Sequence, residues 1–470
     1  MDKELFIKKY AKSVSEGDAA VFAGAGTSVA AGFVDWRTLV KPFASELNLD
    51  INKETDLVRI TQYYVNSKGG RRGDIDSQIV NSFSRDDDEI TDTVDLLTRL
   101  PISTYWTTNY DQIIENSLKK HNRKADVKKQ QENLANSLRD RDAIVYKMHG
   151  DVQLPHEAVI TKDDYEMYNE THSLFTTALK GDLVSKTFLF VGFSFEDPNL
   201  DDILGKIKVL LGEHTREHYC LLKKVELKDF KDSDVDFQTA QIRQELRVKD
   251  LRRYGIETIL LDTYDEIPHI LSEIEKIYLN NTVFISGSIS EYPKHWPKGE
   301  VEEFCYQLSK SIVTENFKII SGFGIGIGSS IINGALDEIY SSKYKHINEH
   351  LSLYPFPQIE NGKKNLKERW SENRKAMISD SGVCIFMFGN KVENEVTLIS
   401  DGMLEEFKIA KELGKIIIPI GNTAETANKI FEDMSKEKEL YSYLEGAWDI
   451  LKDGKNSEVI NKICEIIKQQ

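Results

Sequence analysis

Cysteine is scarce and scattered: Cys220, Cys305, Cys384 and Cys464 are the only four in 470 residues, and no two form a CxxC pair. With four cysteines so widely scattered in a long chain, neither a zinc knuckle nor a disulfide framework is expected, and no metal site is expected. Long apolar runs are missing too. The most apolar stretches, residues 188–193 (FLFVGF) and 416–420 (IIIPI), fall far short of the roughly 20 residues that span a bilayer. The opening MDKELFIKKYAKSVSEGDAA places acids and lysines where a secretory signal needs an apolar core. Positive charge is in deficit, with 61 Lys and Arg against 77 Asp and Glu, a net −16. That balance argues against a protein that coats nucleic acid or an anionic membrane surface, while leaving room for a local phosphate site. A cytoplasmic protein is expected, with no nucleic-acid and no membrane partner.

What is present is enough apolar material, 40% of residues, for packed cores, and a length that suggests about two to three domains. Internal repeats and low-complexity tracts are absent. In the first half, residues 2–17 read as an amphipathic helix. Residues 18–24 read as a strand running into a glycine turn, and later short apolar strands give way to unusual residues: 102–108 before Asn109, 144–148 before His149, and 187–191 before Gly192. Helical stretches between them indicate a parallel sheet with crossover helices, in which ligands bind at the carboxyl ends of strands. Residues 225–250 are highly charged and read as a solvated helix or an excursion of the first domain. Residues 264–279 read as a closing helix, and a second α/β series follows. Its strands are expected at 282–286, 317–321, 351–356, 383–388 and 415–420, and its helices from about 329 and near 366–379 and 402–413. The fold class is α/β, with two Rossmann-like parallel-sheet domains, 1–280 and 281–470.

The first glycine turn is Phe22-Ala-Gly-Ala-Gly-Thr-Ser28, between a buried strand and a helix. Such a turn suits a pyrophosphate, because glycine admits close backbone approach and a helix N-terminus favours an anion. Alone, it fits a plain strand-to-helix connection equally well, since Val29 replaces the third Rossmann glycine and no Walker lysine follows. Three later strand ends shift the balance: Thr107-Thr-Asn-Tyr-Asp111, Lys147-Met-His-Gly-Asp151 and Val191-Gly-Phe-Ser-Phe-Glu-Asp197.

In this order the four segments resemble the sirtuin-like (SIR2) family, over roughly residues 1–280. The resemblance implies that Ala23, Gly24, Gly26 and Ser28 hold the pyrophosphate and nearby ribose of NAD+. Gly32, Asp35 and Trp36 match the segment at the nicotinamide end. Asn109 would orient the nicotinamide ribose or a water, His149 would act as general base, and Gly192 and Ser194 would contact the adenosine side. The chemistry suits these residues, because the nicotinamide ring is already cationic in NAD+ and needs little acid assistance to leave. Deacetylating sirtuins carry a four-cysteine zinc module after the histidine motif, whereas residues 150–190 here contain no cysteine. Water is therefore preferred as acceptor over an acyl-lysine peptide.

The second half carries Phe284-Ile-Ser-Gly-Ser-Ile289 and Ile320-Ser-Gly-Phe-Gly-Ile-Gly-Ile-Gly328. Four alternating glycines exceed the needs of one turn and suggest close approach to a phosphate. Downstream lie Asn373-Arg374-Lys375, Phe388-Gly-Asn-Lys391 and Ser400-Asp-Gly-Met-Leu-Glu-Glu-Phe407. This arrangement resembles the SLOG family, relatives of the LOG phosphoribohydrolases, over roughly 281–470. The catalytic PGGxGTxxE signature is reduced here to Gly402 and Glu406, with Met403 in place of the threonine, which favours binding a nucleotide without cutting it. The resemblance implies that Arg374 and Lys391 meet phosphates and Glu406 a ribose hydroxyl, with Gly287, Ser288, Gly322 and Gly402 giving close contacts.

A SIR2-like domain joined to a SLOG domain resembles the effector family of Thoeris anti-phage defence. That likeness implies an NAD+ hydrolase, activated when a cyclic ADP-ribose isomer made by a TIR-domain partner binds the SLOG domain, and assembled as a homotetramer or larger. Two alternatives remain on sequence alone: a zinc-free sirtuin-type deacylase or ADP-ribosyltransferase, and a non-enzymatic nucleotide sensor.

Overall fold

The computed structural model of the chain describes residues 1–84, 89–195, 197–212, 214–230, 233–360 and 364–470. It divides into two units, Met1–Glu275 and Lys276–Gln470.

The N-terminal unit holds strands β1 (Ala19–Ala23), β2 (Thr104–Thr107), β3 (Ala125–Lys128), β4 (Ala143–Lys147), β5 (Thr187–Val191), β6 (His218–Lys223) and β7 (Ile256–Leu261). They form one sheet in the order β3-β4-β2-β1-β5-β6-β7, with every neighbouring pair parallel. β1 and β5 are buried at every residue, as parallel strands covered on both faces must be. The first helix, Lys3–Ser15, starts where the Asp2 carboxylate accepts from the Leu5 N–H. It buries Phe6, Tyr10, Ala11 and Val14, a spacing that puts one helical face on the sheet. The charged segment becomes the helix Asp234–Arg253, of which only Leu251 is buried, and residues 231–232 lie outside the described residues.

Strand β3 has no apolar alternation to betray it. Its inward residues are Asp126 and Lys128, ion-paired at 2.8 Å, with Arg141 3.0 Å from the same aspartate.

His218, at the start of β6, is buried with Nδ1 accepting from the Phe188 N–H at 3.1 Å. Burial, helped by nearby Arg216, pushes its pKa down to about 3. The unfolded chain therefore binds a proton near the ordinary histidine value that the folded chain refuses. Stability is full above that value and falls as the pH drops toward about 3, with a loss of about 2 kcal/mol between pH 7 and pH 5 from this group. Melting of wild type and His218→Gln at both pH values should show a smaller acid-side drop in the variant.

In the C-terminal unit, β8 (Thr282–Ser286), β9 (Lys318–Ser321), β10 (Leu351–Leu353), β11 (Val383–Phe386) and β14 (Ile416–Pro419) form a second parallel sheet, ordered β10-β9-β8-β11-β14. Between β11 and β14 the chain makes an antiparallel hairpin, β12 (Asn390–Glu393) and β13 (Val396–Ile399), turning at Asn394 and Glu395 with φ of 51° and 64°. The strands expected at 351–356 and 383–388 are shorter than their apolar runs. The chain peels away after Leu353 and Phe386 to build loops, although Tyr354 N still donates to Ser321 O and Met387 N to Ser286 O. Among the described residues no helix is long and apolar enough to cross a membrane.

Both sheets are doubly wound. The first reverses strand order between β1 and β5, the second between β8 and β11, and these reversals are where such sheets open a crevice at their carboxyl edge.

Candidate functional site

In the N-terminal unit the turns after β1, β2, β4 and β5 lie side by side. Ala23 ends β1 and is buried, and Gly24 caps the short helix Ala25–Val29. Gly24 N donates to Val191 O and Gly26 N to Gly192 O, each at 2.9 Å. A Cβ at Gly24 would run into the Gly192 carbonyl, and Gly192 itself sits at φ +63°. Both glycines thus serve first to bring the β1 and β5 turns into backbone contact.

Asn109, just past β2, reaches into this junction. Its Nδ2 donates to Gly24 O (3.0 Å) and Ser28 Oγ (2.8 Å) and lies 3.3 Å from Thr27 Oγ1. The amide oxygen is left for a ligand or a water. Ser28 Oγ donates in turn to Asp111 Oδ2 at 2.6 Å, and Lys147 Nζ donates to the Asp111 carbonyl. Lys147 is buried with Glu115 (3.4 Å) and Asp151 (3.5 Å). Burial works against its charge, but Glu115, Asp151 and Asp111 outweigh burial and hold the ammonium above its usual pKa. This buried cluster fixes the β2 turn from beneath and so fixes Asn109.

His149 follows β4, buried, its ring edge-on to Tyr165 and Tyr168 with centroids 5.4 and 6.1 Å away. Its Nε2 lies 3.1 Å from Asp197 Oδ2, yet out of line for a hydrogen bond, so the contact is an electrostatic one. Burial raises the Asp197 carboxyl, but His149 and the backbone N–H groups of Leu200 and Asn199 outweigh it and hold it below the usual range. A base that gains a proton beside this carboxylate leaves an imidazolium with a ready counter-ion. Asp197 is not legible as a site residue from sequence, because an Asp before Pro reads as a helix cap. It is also that cap, accepting from Asn199 N (2.9 Å) and Leu200 N (3.1 Å). Asp197→Asn should keep the cap and fold but lower turnover by roughly tenfold or more. Asp197→Ala should lose about 1 kcal/mol of stability as well. Parallel melting curves and rate assays separate the two effects, and full activity in Asp197→Asn would dismiss the pairing. Glu196 lies outside the described residues.

Asn109, His149, Asp197, Ser28, Gly26 and Trp36 line one cavity of about 640 Å³. A second, of about 1220 Å³, adjoins it across Gly26, Gly192 and Ser194 and is lined further by Asp35, Phe230, Arg243 and Arg247. Asp35 also caps the helix Trp36–Glu46, accepting from Thr38 N at 2.7 Å. Of the residues singled out from sequence, Gly26, Ser28, Trp36, Asn109 and His149 line the first cavity and Gly26, Asp35, Gly192 and Ser194 the second, with Ala23 buried and Ser194 exposed. Among the described residues no group of three or more His, Cys, Asp or Glu is placed to hold a metal ion.

The carboxyl edge of the second sheet gathers the other set. Gly287 and Gly324 meet backbone to backbone, and a Cβ on Gly324 would overlap the Gly287 carbonyl. The approach these glycines permit here is between two loops of the protein. Ser288 O accepts from Gly389 N and Asn390 N, joining the turn after β8 to the hairpin. Gly322 packs on Phe356 and Met377, and the Arg374 guanidinium lies 5.1 Å from the centre of the Phe356 ring. Arg374 Nη1 donates to Glu405 (2.8 Å), and its Nε is 3.5 Å from Glu406 and without a hydrogen-bond partner. Glu406 is buried and accepts from Ser286 Oγ at 2.6 Å. Burial pushes its carboxyl up, against the opposing pull of Ser286 and Arg374. Lys391 sits between Glu393 (2.7 Å) and Asp401 (2.8 Å). Both cations thus meet the first turns of the helix Asp401–Glu412, where Gly402 leaves room for the guanidinium.

Comparison with known proteins finds two family models along the chain. Residues 103–258 match the SIR2-like domain and residues 266–470 the Sir2- and TIR-associating SLOG family. A protein of Bacillus cereus (strain MSX-D12) named NAD(+) hydrolase ThsA is 47% identical over 93% of this chain and 90% of its own. The chain belongs to the ThsA family. A ThsA of Cytobacillus dafuensis is 41% identical over 99% of this chain and 96% of its own. A more distant relative, Defense-associated sirtuin 2 of Bacillus subtilis, is 26% identical over 43% of this chain and 20% of its own length. Four ThsA relatives carry the name NAD(+) hydrolase, and along this chain the SIR2-like match precedes the SLOG match.

Proposed function

We propose that this chain cleaves NAD+ in the cavity between Asn109 and His149, and that a cyclic ADP-ribose isomer bound around Arg374 raises the rate. As a ThsA-family member the chain is an NAD+ hydrolase. The observation that carries the placement is the convergence of Asn109, His149 and the β1 turn on one cavity.

In the reaction the glycosidic bond from ribose C1′ to the nicotinamide nitrogen breaks, and its electron pair neutralises the leaving ring. Water forms the new C1′–O bond, and its proton passes to His149 Nε2, where Asp197 offsets the charge. The products are nicotinamide, ADP-ribose and a proton. Asn109, locked by Gly24 and Ser28, presents its carbonyl to the ribose or the water, so orientation is set before the substrate arrives. The adjoining cavity beside Phe230, Arg243 and Arg247 offers an aromatic face and positive charge to the adenosine half. Ala23, Gly24, Gly26, Ser28, Asp35, Gly192 and Ser194 frame the path between.

The signal is read at the second sheet, where Arg374 and Lys391 supply phosphate contacts, Glu406 a ribose contact, and Gly287, Ser288, Gly322 and Gly402 the closely packed floor. Its source is a TIR-domain partner, and the setting is Thoeris-type anti-phage defence in the cytoplasm by a homotetramer or larger assembly. The test is to assay nicotinamide release and acyl-lysine peptide turnover side by side. Stoichiometric nicotinamide and ADP-ribose without deacylation supports water as acceptor, whereas peptide-dependent release would replace this reading with a deacylase.

A further inference from the structure

Arg374 is not free to receive a ligand in this structure. Its guanidinium is wedged between the Phe356 ring and the backbone at Gly402, and only 13% of its side chain is exposed. A largely buried guanidinium with no anion beside it is strongly disfavoured, because its lost hydration is uncompensated. Here the hydrogen-bonded compensation comes from Glu405, whose Oε2 accepts from Nη1 at 2.8 Å and whose Oε1 accepts from Ser371 Oγ, with Glu406 further off at 3.5 Å from Nε. The two glutamates of the Glu405-Glu406 pair differ in kind. Glu406 is buried against Ser286, while the Glu405 side chain is 37% exposed and on the open side of the guanidinium.

We propose that Glu405 is an intramolecular stand-in for ligand phosphate: it neutralises Arg374 and must be displaced for a nucleotide diphosphate to bind. This rests on the reading of the Arg374 site given above and adds to it a competing group. Lys391 is treated alike, held by Glu393 and by Asp401, whose side chain is 81% exposed. Asp401 and Glu405 share one helix, so each cation of the site has a solvent-reachable carboxylate at hand. Carboxylate is a weaker match to the guanidinium fork than a phosphate bridged to a second phosphate, which meets Arg374 and Lys391 together. The exchange therefore admits ligands with two adjacent anionic groups and turns away those with one. Once a phosphate is seated, Glu405 becomes a like-charged neighbour whose repulsion weakens binding.

The test is calorimetric titration of the full-length chain with ADP-ribose, N1-linked cyclic ADP-ribose and its O-glycosidic isomers. Glu405→Gln keeps the shape and the contact from Ser371 but removes the charge. For any of these ligands that wild type binds, Glu405→Gln should bind roughly tenfold more tightly. Ser371→Ala, which only loosens Glu405, should shift affinity the same way by less, and it serves if the glutamine variant does not fold. Adenosine monophosphate should gain more from Glu405→Gln, relative to wild type, than adenosine does. Unchanged or weaker binding in Glu405→Gln and Ser371→Ala, beside a wild type that binds, overturns the stand-in role. A wild type that binds none of the diphosphates overturns the reading of the site itself, and the stand-in with it.

Discussion

His149→Ala should reduce NAD+ turnover by about a hundredfold to ten-thousandfold, the usual cost of losing a general base. The residue is buried and lies 3.1 Å from Asp197, so its removal also leaves that carboxylate without its imidazole neighbour. The helix cap that Asp197 makes is untouched, and circular dichroism and melting should stay near wild type. Asn109→Ala should be comparably inactive for a different reason. It frees Gly24 O and Ser28 Oγ, to which the amide donates, and so loses the orientation of the β1 turn as well as the carbonyl facing the cavity. Wild-type turnover in either folded variant would move the chemistry elsewhere.

Arg374→Ala should abolish stimulation by a cyclic ADP-ribose isomer, and Glu406→Ala should do the same, while some basal hydrolysis at high NAD+ survives in both. A ligand shifts an equilibrium between inactive and active states only by binding the active one more tightly, with couplings of about 1–3 kcal/mol. Without Arg374 the site loses its planar, buried donor, which Lys cannot replace. Without Glu406 it loses the group that links Ser286 on β8 to Arg374. NAD+ turnover measured against a titration of activator distinguishes lost sensing from lost catalysis. Normal stimulation of Arg374→Ala would show that the signal is read elsewhere.

How far such outcomes were foreseeable differs between residues. The strands β1, β5 and β8 are legible because they are unbroken apolar runs, and the polar residues at their ends stand out against them. Asn109 and His149 are visible because each follows a short, mostly apolar segment, residues 102–108 and 144–148, that carries β2 and β4. β3 escapes because its buried positions are Asp126 and Lys128, and a period-two pattern of charge looks like a solvated turn. The β12–β13 hairpin escapes because β13 is exposed along its length, so burial leaves no mark. Its turn at Asn394 and Glu395 takes positive φ without a glycine, so it carries no strong turn signal in the sequence either. Asp197 and Glu405 are hidden for a third reason, since the partners that define them, His149 and Arg374, are 48 and 31 residues away in sequence. The glycines of both turns are legible as sites of close approach, but sequence does not say to what. In Gly24, Gly192, Gly287 and Gly324 it is protein backbone.

The most direct test of the account is NAD+ cleavage by the purified full-length chain with and without a cyclic ADP-ribose isomer. The predicted result is equimolar nicotinamide and ADP-ribose, a rate that rises with the isomer, and no release from His149→Ala. NAD+ left intact by wild type at every isomer concentration, or release that persists in folded His149→Ala, would contradict it.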